Sequence, residues 1–290
     1  MLSLRKDGNA GRTTKDNDTV TSTAKIISEI RSRDIIFERK LGYGASSEVY
    51  LATWKTIHVA IKEVSEDWQD IFEQEKKMMG YISTLKNASL YTVNCYGFIG
   101  KNFNSLVLEY MPHGDLLDFI NSKYYFHPSQ LFANTLDVTY AIKFLHDNDI
   151  LHCDIKPDNI MLDANWKAKL GDFGFALTKN DANDFDHICG TEPYLAPEII
   201  EEDEPHYSTK SDMYAYAKTV YASYTFKEKR VTANEIKNNI KPPYPGCPTG
   251  IVNIIKLGLM AQPEKRLSAD QAVEILEDMQ NQVGGFKRIT

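Results

Sequence analysis

What the chain has little of narrows it first. Its four cysteines, Cys95, Cys153, Cys189 and Cys247, stand far apart, with none of the close pairs that zinc sites use. That spacing fits a reducing compartment. No apolar run approaches the length that spans a bilayer, and the opening residues "MLSLRKDGNAGRTTKDNDTV" lack the apolar core of a signal peptide. The expectation is a soluble, cytoplasmic protein without membrane insertion, with export by an unmarked route, such as delivery into a host cell, left open. Positive charge is also in deficit. With 33 basic against 40 acidic residues and a net charge of -7, no global field exists to hold nucleic acid. No repeat of fixed period is visible.

What is present is ordinary globular material, 42% hydrophobic and 25% charged over 290 residues, enough for one large domain or two lobes sharing a cleft. Residues 1–33 read as a polar tail, with a short helix in "TAKIISEIRSRD". From Ile35 to Val64, β-branched and aromatic residues alternate with polar ones around a glycine cluster, which predicts a small antiparallel sheet. "WQDIFEQEKKMMGYISTL" then carries Ile71, Phe72, Met78, Met79 and Ile82 at near-helical spacing, and strand-like runs follow at Cys95–Ile99 and Ser105–Tyr110. Beyond Leu116 the chain turns largely helical. "PSQLFANTLDVTYAIKFLHDN" and "SADQAVEILEDMQNQV" are the clearest amphipathic segments, the second stopped by Gly284 and Gly285. A β-rich front and an α-rich back predict an α+β, bilobal protein over residues 34–286, divided at 110/111, with a cleft between the lobes.

Four short motifs carry chemistry. In "LGYGASSEVYLATW", Gly42 and Gly44 sit between strand-like runs, where missing side chains either make a plain hairpin or let backbone N–H groups approach phosphate oxygens. In "VAIKEV", Lys62 lies among apolar neighbours, so its ammonium either reaches solvent or finds an anionic partner in the next helix, Glu75 or its rival Glu73. "ILHCDIKPDNIMLD" gathers Asp154, Lys156 and Asn159, and "GDFGFA" adds Asp172. Asp154 is suited to orient a hydroxyl and accept its proton, Lys156 to neutralise a phosphoryl group, and Asn159 with Asp172 to give hard oxygen ligands to Mg²⁺. Each acid alone would be a solvated loop residue.

In this order, ending with "YLAPE" at Glu198, the motifs resemble the eukaryotic-type protein kinase family over roughly residues 34–283. The resemblance implies a bilobal kinase fold with an ATP cleft, ATP and Mg²⁺ (or Mn²⁺) as cofactors, and protein substrates. It implies catalytic roles for Asp154, Lys156, Lys62 and Glu75, and metal ligation by Asn159 and Asp172. Gly42 and Gly44 would cover the triphosphate, with Leu41, Val49, Ala60 and Met161 sandwiching adenine. Leu108 matches the gatekeeper, Glu109 and Met111 the hinge, and Asp115 the ribose contact. "DIKPDN" and Thr191 resemble the serine/threonine form; "VYLATW" and the stretch from Lys241 to Ala269 look like the tyrosine-kinase-like branch. A nucleotide-binding scaffold without transfer is the alternative.

The sequence also departs from the family pattern. Cys153 stands where most regulated kinases carry an arginine, whose charge a phosphate on the activation loop neutralises. Between Gly174 and Cys189 the one hydroxyl-bearing residue is Thr178, among Asp181, Asp184 and Asp186, so activity is expected to be independent of activation-loop phosphorylation. Glu198 and Arg266 match a buried structural ion pair, and Asp212 the acid that braces the catalytic loop. The glycine and Pro-Phe expected after Asp212 are absent; the tyrosines there fit core packing better than an exposed face.

Overall fold

The computed structural model describes residues 27–44, 47–100, 104–122, 128–201, 205–225 and 247–282. The alternating stretch folds into three long strands, β1 (Ile35–Tyr43), β2 (Ser47–Trp54) and β3 (Ile57–Val64). Helix α1 (Gln69–Ile82) follows, burying Phe72, Met78, Met79 and Ile82 on one stripe with a single acid, Glu75, among them. Strands β4 (Cys95–Ile99) and β5 (Ser105–Glu109) complete an antiparallel sheet of order β1-β2-β3-β5-β4.

The register fixes which residues share a face. Val49 lies opposite Lys62, Ala60 opposite Leu51 and Leu108, and Gly42 opposite Val49. Cross-strand partners point the same way, so these residues form one wall.

The short helix expected in residues 23–34 is absent from its described part. Ile27–Asp34 instead runs extended: Glu29 bridges Phe98 in parallel, Ile30 N–H donates to the Phe98 carbonyl at 2.7 Å, and Ser32–Asp34 forms a lone 3₁₀ turn. The cause is the open edge of β4, whose backbone groups need partners, combined with two isoleucines that bury against the sheet core. Residues 27–30 therefore pack on the sheet; residues 1–26 lie outside the described part.

The larger half begins with α2 (Leu116–Asn121) and α3 (Pro128–Asp147), the latter buried on nearly all sides. Four short strands interrupt the helices, a feature the helical pattern did not announce: β6 (Ile150–Leu151), β7 (Ile160–Leu162), β8 (Ala168–Leu170) and β9 (Leu177–Thr178). β6 pairs with β9 and β7 with β8, which ties the catalytic stretch to the segment after it. Short helices α4 (Lys179–Ala182) and α5 (Pro197–Ile200) lead to α6 (Thr209–Thr225), then α7 (Thr249–Gly258) and α8 (Ala269–Gln282). Tyr214, Tyr216 and Tyr224 of α6 are all buried, in agreement with core packing. The glycines expected to stop α8, and the rest of the unusual stretch after Thr225 up to Gly246, lie outside the described residues.

Arg266 is the largest side chain buried in this half. Its guanidinium donates to Glu198 Oε1 at 2.6 Å and Oε2 at 2.7 Å, and also to the carbonyls of Met260, Ala261 and Lys210. Every donor direction has an acceptor, so α5, α6 and the loop before α8 share one cation.

Two outcomes follow. Arg266→Met leaves the Glu198 carboxylate buried and unpaired, and should cost roughly 3–5 kcal/mol of stability by denaturant unfolding. Unchanged stability would mean that the pair contributes nothing. A Cβ at Gly97 would collide with the Ser28 carbonyl and lie 2.9 Å from Ile30. Gly97→Ala should therefore release residues 28–30 from the sheet, at about 1–3 kcal/mol, seen as faster hydrogen exchange at the Ile30 amide.

Candidate active site

Lys62 sits in β3 with only 12% of its side chain exposed, so its ammonium does not simply face water. It donates to both Glu75 oxygens, at 2.8 and 2.9 Å, and to Asp172 Oδ1 at 2.8 Å. Of the two candidate partners, Glu75 is therefore the one engaged, while Glu73 pairs with Lys76 on the helix surface. Burial by itself would lower the Lys62 ammonium, but Asp172 and Glu75 overcome this and raise it. Burial pushes the Glu75 carboxyl up against the pull of Lys62, and the Phe173 N–H adds a hydrogen bond to it. Asp172 goes the other way. Burial opposes its charge, but Lys62, Lys156 and His152 hold the carboxyl down to about 2. Its side chain keeps 45% exposure, so it faces an open cleft.

The apolar candidates line this cleft. Val49, Ala60 and Leu108 share the face of Lys62, as the register requires, and Leu41 is half-buried near the end of β1. Met111 is buried just past β5, and Met161 in β7 bridges Asp115 across the floor. A side chain at Gly42 would meet nothing within 4 Å, although it would point to the Val49 face; the glycine thus leaves room that the protein itself does not fill. Gly44 donates to the Ser47 carbonyl at 2.7 Å; Ala45 and Ser46 lie outside the described residues. Asp115 caps α2, its carboxylate accepting from the Asp118 N–H at 2.7 Å. Burial, with Asp118 and Asp158 nearby, pushes its carboxyl up to about 6.

The catalytic candidates are built by the loop between β6 and β7. Asp212, on α6, accepts from the His152 N–H and the Cys153 N–H, each at 2.9 Å, and faces His146 Nε2 at 2.9 Å. Burial works against its charge, yet His146 and these bonds lower its carboxyl. This fixes Cys153 at φ 64°, a left-handed conformation that a non-glycine residue takes only when its surroundings hold it there. His152 is wholly buried, packs on Phe173 and meets the Gly171 carbonyl at 3.0 Å, so it shapes the loop and does not face the cleft.

The next residue, Asp154, is 4% exposed. Its Oδ2 accepts from Asn159 Nδ2 at 2.9 Å and meets Lys156 Nζ at 2.8 Å, while Oδ1 is buried without a hydrogen-bond partner among the described residues. Lys156 also donates to Thr191 Oγ1 at 2.7 Å. Asp154, Lys156, Asn159 and Thr191 thus form one group, and Asp172 joins it through its charge interaction with Lys156.

Two supporting groups were not identified from sequence. Lys169, buried in β8, donates to both oxygens of Glu109 at 2.8 Å, and Asn94 Nδ2 donates to the same carboxylate at 2.8 Å. The Glu109 side chain is therefore spent bracing the hinge from behind, and its N–H donates to the Asn94 carbonyl at 2.8 Å. The available signal was a lysine inside the apolar run "AKL", the same anomaly that marked Lys62. Tyr207 is the second: its hydroxyl accepts from the Cys189 N–H at 2.7 Å and donates to the Cys189 carbonyl at 2.9 Å. A tyrosine in a loop gives no such signal.

The protein kinase domain family model matches residues 35–276. Among curated relatives, a mimivirus protein of Acanthamoeba polyphaga mimivirus bearing a serine/threonine-protein kinase/receptor name is 30% identical over 90% of this chain. The Dictyostelium discoideum kinase drkB is 28% identical over 90%, and human Nek5 34% identical over 65%. The chain spans 16% of the mimivirus relative, 39% of drkB and 27% of Nek5. With a family model covering most of its length, and with the lysine, helix glutamate, catalytic loop and Asp172 assembled in one cleft, the chain belongs to the protein kinase domain family.

Proposed function

We propose that this domain is a serine/threonine protein kinase, which transfers the γ-phosphoryl group of ATP to hydroxyls of protein substrates. The observation that carries the reading is the Lys62 ammonium held between Glu75 and Asp172, which joins the sheet, α1 and the cleft floor in one connected arrangement. The serine/threonine assignment rests on the Lys156–Thr191 hydrogen bond and agrees with the names of the relatives. Membership of the tyrosine-kinase-like branch, and a reducing cytoplasmic setting, remain parts of this proposal. No cysteine forms a disulfide, and among the described residues no helix is long and apolar enough to cross a membrane.

The residues fit a nucleotide with a divalent cation. Asp172 and Asn159 offer hard oxygen atoms, Asn159 turning its Nδ2 to Asp154, and the unfilled flank of Gly42 leaves room for phosphate. Bound there, Mg²⁺ or Mn²⁺ supplies positive charge to the phosphate oxygens. Lys62 binds the phosphates from the sheet side, and Glu75 keeps its ammonium aimed into the cleft. Leu41, Val49, Ala60 and Met161 exclude water around adenine, with Leu108 behind and the Glu109–Met111 backbone beside it. Asp115 reaches the ribose only by sharing a carboxylate that already caps α2. The Asp154 carboxylate orients the acceptor hydroxyl and takes its proton, held in place through Oδ2 by Asn159 and Lys156. Lys156 keeps its charge next to the group in transit.

Ordering of the segment after Asp172 is proposed to need no phosphate. Contacts within the fold already hold it: Gln74 Nε2 donates to the Ala176 carbonyl at 2.8 Å, Lys179 pairs with Asp149 and donates to the His146 carbonyl, and Tyr207 grips Cys189. Cys153 is buried against Cys189, and burial pushes its thiol well up, so no cation waits there for a phosphate. Thr178 is already engaged as the cap of α4, accepting from the Asp181 N–H at 3.1 Å.

Transfer of labelled phosphate from ATP with Mg²⁺ to a generic protein substrate should be measurable, and Asp172→Ala should reduce it by a factor on the order of 10² or more. Nucleotide binding by the wild-type chain without any transfer would instead support the scaffold. Thr178→Ala, and phosphatase treatment of the purified protein, should each leave most activity in place, with a local cap loss of about 1 kcal/mol for the variant. A large fall after either treatment would remove phosphate independence from the reading.

A further inference from the structure

Helix α6 is buried along almost its whole length, from Ser211 to Tyr224, with one charged residue breaking the run on the side of the Thr191–Leu195 loop: Lys218. Its ammonium donates to the Pro193 carbonyl and lies 5.5 Å from the centre of the Tyr214 ring. Among the described residues it has no carboxylate partner, in contrast to Lys62, Lys156 and Lys169. Burial lowers the Lys218 ammonium below its ordinary value, with no neighbouring acid to raise it. An ammonium has three donors, and a lone carbonyl and an aromatic face satisfy it only in part.

Its position gives the unfilled charge a use. The next residue, Thr219, donates to the Ile155 carbonyl in the catalytic loop. Pro193, which Lys218 touches, is two residues beyond Thr191, and Thr191 is bonded to Lys156 beside the unpartnered Asp154 Oδ1. Two residues of an extended substrate peptide span about 7 Å. A peptide whose hydroxyl is at Asp154 therefore carries its nearest flanking side chains to this part of the loop.

The geometry points to Lys218 as a specificity-determining residue, which selects protein substrates bearing an acidic side chain within two residues of the acceptor hydroxyl. This rests on the proposed kinase activity. With donors left over beyond the Pro193 carbonyl, the ammonium attracts a carboxylate and repels lysine and arginine at the same place, so discrimination has both an attractive and a repulsive part. Among the described residues, the exposed Glu192 of the same loop forms no ion pair with it.

The test is a serine peptide set in an alanine background, with Glu, Ala or Lys placed in turn at the two positions on either side of the acceptor. The wild-type chain should favour Glu over Ala by about tenfold in kcat/KM at one or more of these positions, the worth of one hydrogen bond to a charged group. Lys218→Arg should keep this ratio, Lys218→Met should bring it close to one, and Lys218→Glu should shift preference to the Lys peptide. A wild-type ratio near one, or a Lys218→Met variant that loses rate equally on all peptides with its ratio intact, would overturn the inference and leave a purely structural lysine. No transfer to any peptide would instead overturn the activity on which it rests.

Discussion

One ammonium shared by two carboxylates organises the cleft. Lys62 joins Glu75 and Asp172, so the sheet, α1 and the loop at Asp172 are positioned by the same charge. The trio carries one negative charge in excess. That imbalance is tolerable because Asp172 is nearly half exposed, whereas Glu75 is 1% exposed and leans on both Lys62 and the Phe173 N–H. An excess carboxylate beside an open cleft is an electrostatic invitation to a divalent cation, whose phosphate ligands would in turn meet Lys62. The arrangement thus stores its unsatisfied charge where a ligand can reach it.

The same logic, with opposite outcome, governs the helical half. Asp212 is also a buried carboxylate, but two backbone N–H groups and His146 saturate it, and Arg266 and Glu198 saturate each other. These groups have no capacity left for chemistry. They hold the loop so firmly that Cys153 stays left-handed and Asp154 is presented with one oxygen engaged and the other unpartnered. Buried charge in this protein is therefore of two kinds, and the difference is whether hydrogen-bond capacity remains.

That distinction also explains what the sequence could disclose. The sheet, the long helices and the positions of Lys62, Asp154, Asn159 and Asp172 were legible because hydrophobic period and motif order are local patterns. The choice of Glu75 over Glu73 was open, since both lie on one helix, and it is settled by which of them faces the stripe of Phe72, Met78 and Met79. The packing of Ile27 and Ile30 was hidden because it depends on the free edge of β4, some 70 residues on in the sequence. The four short strands, with two or three residues each, carry no period at all. Lys169 and Tyr207 were missed for a related reason: their partners, Glu109 and the Cys189 backbone, are brought near only by the tertiary fold.

Between Asp172 and Glu198 the chain is held by contacts that involve no cation at position 153. A cation at position 153 would be buried and would require an anion nearby, making order conditional on whatever supplied that anion. With cysteine there, burial is harmless, and the holding contacts pass to groups that are always present: a tyrosine hydroxyl on a peptide unit, a glutamine on a carbonyl, a lysine on Asp149. None of these depends on a modification. The contacts that hold this segment are made by side chains of the fold itself, and Lys218, whose ammonium has no carboxylate partner among the described residues, donates to the Pro193 carbonyl in the loop after Thr191.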